Sequence, residues 1–151
     1  MRFQVRSISQ DMADEVRRSR VSPGYGHPAH LEVAKGTGPC RCCMRQFEPG
    51  RDQRLLFTFR PDAPGALTAP GPVFIHAERC EAWQGEGFPP GLRGLPLAFE
   101  ARAAGSRVIA LSADLRQAPE AQIDAMFTAG AEWLHLRNAE AGCFIATIAR
   151  A

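Results

Sequence analysis

Glu132-Trp-Leu-His-Leu-Arg137, then Asn138–Gly142, then Cys143-Phe-Ile-Ala-Thr-Ile-Ala149, sets the architecture of this chain. Two runs rich in apolar and β-branched residues flank a short loop that ends in glycine, the pattern of an antiparallel hairpin. A five-residue loop puts Arg137 opposite Cys143 and His135 opposite Ile145. Side chains alternate across a sheet. Leu134, Leu136, Phe144, Ala146 and Ile148 then share the core face, and Trp133, His135, Arg137, Cys143 and Thr147 share the other. That second face is a candidate ligand-binding wall. Histidine serves as acid or base, arginine clamps a carboxylate, and cysteine serves as a nucleophile. The same row also arises structurally, with an arginine packed over Trp133.

Upstream of the hairpin, Pro119 at a first helical position opens a helix with Glu120 and Asp124 early. Ile123, Met126 and Phe127 make its buried stripe, and Gly130 closes it as a left-handed cap. Leu95–Arg102 and Arg107–Ser112 read as two strands around an Ala-Ala-Gly-Ser turn. Leu55, Phe57 and Phe59 alternate in a strand over 54–60, and Val73-Phe-Ile-His76 is another short strand. Arg2–Ile8 alternates as well. Ser9 caps a helix from near Gln10, with Asp11 and Asp14 against its positive end and Met12 and Val16 on its apolar edge. The Arg17–Arg20 run reads as its solvated terminus. Residues 22–39, 61–70 and 84–94 are rich in Gly and Pro and read as loops. The expected fold is α+β: a mainly antiparallel, twisted sheet of about six or seven strands with two helices packed on it, in a single domain over residues 1–151.

Pro39-Cys40-Arg41-Cys42-Cys43-Met44 holds three of the five cysteines, and Cys80 follows His76 by four positions. A chain this long needs no staples to bury a core, so folding alone does not explain the crowding. C-x2-C at Cys40 and Cys43 lets two thiolates of one tight turn reach one ion, and His76 with Cys80 supplies another pair. Cys40, Cys43, His76 and Cys80 thus form a candidate tetrahedral metal set, with zinc as the implied cofactor. A closed set would be structural; loss of one ligand to solvent would open a catalytic position. The thiol-redox reading of the same C-x2-C wants a helix starting at the motif, and here Pro49-Gly50 follows too soon. Ordinary buried thiols are the plain alternative. Glu78 and Arg79, beside His76, are candidates for outer contacts to the ligands.

Several of these motifs together carry a resemblance: Pro39-Cys40-Arg41-x-Cys43, Pro49-Gly50 with Leu55-Leu56, Gly71-Pro-Val-Phe-Ile-His76 with Cys80, and His135-Leu-Arg137 leading to Gly142-Cys143-Phe144. The chain resembles the bacterial domain-of-unknown-function family 1203 over nearly its whole length. The resemblance carries no activity with it. The family pattern has histidine at the place of Cys42, which implies that this thiol is dispensable unless either residue type ligates a metal there. It also has an aromatic-containing segment where this chain has Ala63–Ala69, so no pocket wall at that place is carried over.

The chain has a net charge of +2, and Lys35 is the only lysine among 18 basic residues. The charges are mixed along the sequence, so a nucleic-acid partner is not expected. The first residues lack the apolar centre of a secretory signal, and no stretch approaches the ~20 apolar residues that span a bilayer. A cytoplasmic setting is expected, where thiols stay reduced and clustered cysteines favour metal or redox use over a disulfide. Two function classes follow. One is a small protein with a Cys/His metal site. The other is a non-catalytic domain that binds a small molecule or a protein through the His135/Arg137 face, with thiols that are simply buried.

Overall fold

A computed structural model describes residues 2–61, 68–113 and 116–151. Along the chain run β1 (Phe3–Arg6), α1 (Gln10–Ser19), β2 (His30–Val33), β3 (Gln53–Phe59), β4 (Gly71–His76), β5 (Leu97–Arg102), β6 (Val108–Ser112), α2 (Pro119–Thr128), β7 (Trp133–Asn138) and β8 (Phe144–Arg150). The α+β class, the antiparallel pairing and the two helices are as the sequence predicts. The eight strands divide into two sheets, with order β1-β8-β7-β5-β6 in one and β2-β3-β4 in the other. Each sheet has its own apolar layer. The larger sheet packs Val5, Phe99, Leu134, Leu136, Ala146 and Ile148 with Ile123, Met126 and Phe127 of α2. The smaller packs Leu55, Phe57, Val73 and Ile75 with Ala13 and Val16 of α1 and with Cys40, Cys42, Cys43 and Cys80.

Both helices end as their residues dictate. Ser9 accepts a hydrogen bond from the Met12 amide at 3.1 Å, and Arg20 closes α1 in the left-handed region. Gly130, with φ +106°, takes the left-handed position after α2.

Two expectations change, and a third falls largely outside the described residues. The stretch 22–39 contains β2, an edge strand whose Leu31 and Val33 stay exposed. No alternation of buried residues marks it, and its pairing with β3 alone makes it a strand. The loop expected over 61–70 falls largely outside the described residues, since 62–67 are not among them.

The hairpin register also differs. His135 faces Thr147 and Leu136 faces Ala146, but Arg137 faces Phe144, so Ile145 is an extra residue in β8. Such a bulge turns the chain over locally. Ile145 enters the core of the larger sheet, and Phe144 turns to the opposite side, beside His135 at 5.2 Å between rings. Among the described residues, no helix is long and apolar enough to cross a membrane.

Candidate metal centre

The turn at residues 40–44 is built by backbone bonds. Met44 N–H donates to Cys40 O at 2.9 Å, and Cys40 N–H donates to Arg45 O at 2.9 Å. Met44 sits at φ +65°, a left-handed conformation that costs an L-residue with a Cβ about 1–2 kcal/mol. Its buried side chain enters the core of the larger sheet, whereas Cys40, Cys42 and Cys43 belong to that of the smaller one. The turn is further tied at Arg41 N–H to Phe74 O and at Ile8 N–H to Arg41 O, both 2.9 Å. It is therefore held from both layers.

β4 ends at His76 and brings its ring to this turn. The ligand atoms of Cys40, Cys43, His76 and Cys80 all lie within 4.8 Å of one another. Cys40 Sγ and Cys80 Sγ are 3.8 Å apart, and Cys43 Sγ and His76 Nδ1 are 3.5 Å apart. A tetrahedral site with Zn–S near 2.3 Å and Zn–N near 2.0 Å has edges of about 3.8 Å between sulfurs and about 3.5 Å between sulfur and nitrogen. The Cys40–Cys80 and Cys43–His76 edges have those lengths. All five cysteines are free thiols. Three of the four candidate ligands are buried, and Cys43 borders a cavity of about 700 Å³ shared with Arg45 and Trp83.

Further contacts orient His76, Cys40 and Cys80. Asp52 Oδ2 stands 3.3 Å from His76 Nε2, which leaves Nδ1 for the centre. The Glu48 amide also donates to that carboxylate and, before the His76 contact, holds it below its usual range. His76 N–H points at Cys40 Sγ at 3.3 Å. Arg17 Nη2 donates to Cys80 Sγ at 3.0 Å, and its Nε donates to His76 O at 3.0 Å. Gln10 Nε2 donates to Cys80 O, and Gln10 Oε1 accepts from Ala82 N–H. One face of α1 thus grips the Cys80 loop.

Contacts within the tetrad shift the proton affinity of its members in opposite directions. Hydrogen bonds from Cys40, Cys42 and Cys43 hold the Cys80 thiol far below its ordinary range. Burial, and then Cys43 and Cys80, push Cys40 far above it. Sulfur contacts, first from Cys43, raise His76 to about 10. Burial works against the charge of Arg17, but the sulfurs of Cys80 and Cys42 outweigh it.

Sequence reasoning assembles the four candidate ligands but misses their supports. Arg17, read as part of a solvated helix terminus, has a side chain only 9% exposed. Its i+3 and i+7 spacing from Asp14 and Gln10 was the available signal. Arg79, proposed as an outer contact, instead pairs at the surface with Asp14 at 3.5 Å. Glu78 makes no hydrogen bond or ion pair with the tetrad among the described residues.

The other candidate face does not form one open wall. His135 is fully buried between Trp133 and Phe144, with Nε2 unpartnered. Its Nδ1 lies 3.5 Å from Arg137 Nη2 and 3.9 Å from Glu100. Arg137 turns to Glu100 and to Gly142 O. The guanidinium over Trp133 is that of Arg102, not Arg137. Cys143 lines a separate cavity with Arg41 and Asn138.

The fold and the cluster define an α+β domain with three cysteines and a histidine that could hold a metal ion. Residues 37–150 match the family described as protein of unknown function (DUF1203), and the chain belongs to that family. No curated protein and no solved structure matches it.

Proposed function

We propose that Cys40, Cys43, His76 and Cys80 bind one zinc ion in a closed structural centre, and that the chain is a small zinc-stabilised protein of the cytoplasm. The observation that carries this reading is the convergence of four donor atoms from two distant segments within 4.8 Å. Three sulfurs and one nitrogen, with two of their edges at tetrahedral length, suit Zn²⁺. Four protein ligands leave no position for substrate, so the role at this site is structural rather than catalytic. Three thiolates and a neutral imidazole around a divalent cation leave one negative charge in excess, and Arg17 on Cys80 Sγ offsets it. The free thiols fit a reducing compartment. Binding would fix the 40–44 turn, which is anchored in both apolar layers, and so would tie the two sheets together.

Elemental analysis of protein purified without added metal tests the reading. About one zinc per chain is expected, and less than about 0.2 zinc or iron per chain rejects it. Cys40→Ser should lower metal content and melting temperature together, with a stability loss of several kcal/mol. Unchanged melting and metal content in that variant would also reject the site.

A further inference from the structure

Behind the cysteine turn lies a second cavity, of about 370 Å³, where the two sheets meet. Arg41, Arg54, Asn138 and Cys143 form its polar side, and Leu56 and Phe74 its apolar side. Arg41 is only 5% exposed. Its Nε donates to Phe144 O at 2.8 Å and its Nη1 to Pro39 O at 2.7 Å, and Nη2 has no protein partner among the described residues. No carboxylate of the described residues stands within ion-pair distance of it. The neighbouring guanidinium, Arg54, is already paired with Glu32 at 2.9 Å and lies over the Phe74 ring at 3.8 Å.

A buried cation held only by neutral carbonyls lacks the counter-charge that normally offsets its desolvation. We propose that this cavity binds the acidic head of a small organic anion, a carboxylate or a phosphate ester, with Arg41 as its counter-ion and Leu56 and Phe74 against its apolar body. The planar guanidinium suits both head groups. The half-buried thiol of Cys143 stands at the same cavity and reports on it. This inference does not rest on the metal, because Arg41 is held in place by backbone bonds to Phe74 and Ile8.

The test alkylates the native chain with iodoacetate and, separately, with iodoacetamide at equal concentration, and reads modification of Cys143 by mass spectrometry. In each case the thiolate displaces iodide and forms a carbon–sulfur bond, and the ratio in the unfolded chain corrects for the reagents' different intrinsic reactivity. The ratio of iodoacetate to iodoacetamide rates at Cys143 should exceed that of the unfolded chain by about tenfold, the factor one charge-assisted hydrogen bond supplies. Arg41→Gln, if folded by circular dichroism, should abolish the preference; a preference that survives overturns the proposal. Competition on the native chain does not depend on that variant. At fixed ionic strength, inorganic phosphate or acetate should protect Cys143 from iodoacetate, and the stronger competitor identifies the head group. Equal ratios in native and unfolded chains, or no protection by either anion, overturn it.

Discussion

Arg17 spends its three donor nitrogens on the Cys80 sulfur, the His76 carbonyl and the Asp14 carboxylate. It supplies positive charge where thiolates gather, and a hydrogen bond to a charged group contributes about 1.5–3 kcal/mol. Asp52 does the complementary work by holding the His76 ring with Nδ1 toward the sulfurs. Arg17→Gln and Asp52→Asn are each expected to weaken zinc binding by about 10–100-fold, measured by competition with a chromophoric chelator. Arg18→Gln is the control. Arg18 pairs with Glu15 at the surface with 74% of its side chain exposed, so its loss should leave metal affinity unchanged. The four candidate ligands were legible because C-x2-C spacing has a direct geometric meaning. Arg17 was not, because a basic residue near a helix C-terminus already has a sufficient local reason to be there.

The turn at residues 40–44 is the element on which the two layers converge, and its shape depends on a glycine far along the chain. A Cβ added at Gly91 would stand 2.4 Å from Met44 O and 3.0 Å from Arg45 Cα. Both are backbone atoms of a turn already held in the left-handed region at Met44, so neither yields cheaply. Gly91→Ala is expected to destabilise the protein by about 1–3 kcal/mol, read as a lower denaturation midpoint at unchanged slope. At this scale α1, α2 and most strands were readable from caps, periodicity and alternation. The register of β7 with β8 was not. The extra residue Ile145 is decided by which neighbour buries it, and nothing in Phe-Ile-Ala distinguishes a bulged strand from a regular one.

Across the whole molecule, His135 marks the seam between the layers. It lies in β7 of the larger sheet, while the Phe144 ring beside it packs with the smaller sheet's core. Burial, then the charges of Arg137 and Arg102 against that of Glu100, push its pKa down to about 4. In the unfolded chain histidine titrates near 6.5. A depressed folded value means that the neutral form's stabilisation is fully present above about pH 6.5 and is lost as pH falls through about 4, by roughly 3 kcal/mol in total. Thermal melts at fixed ionic strength should show this loss between those pH values, and His135→Phe should flatten that part of the profile. A variant with the same acid slope as the native protein would show that His135 is not its source.

Local chemistry in the sequence was enough to determine the α+β class, the antiparallel strands, the two helices and the family. Short-range sterics and hydrophobic periodicity act within a few residues, so they can be read in order along the chain. Only the tertiary structure decided that the strands form two sheets, that Arg17 reaches the cysteines from α1, and that Arg41 lies in a cavity with no carboxylate of the described residues beside it. Those features depend on which distant segments share buried space, and that depends on the packing of the whole chain rather than on the spacing within any one stretch.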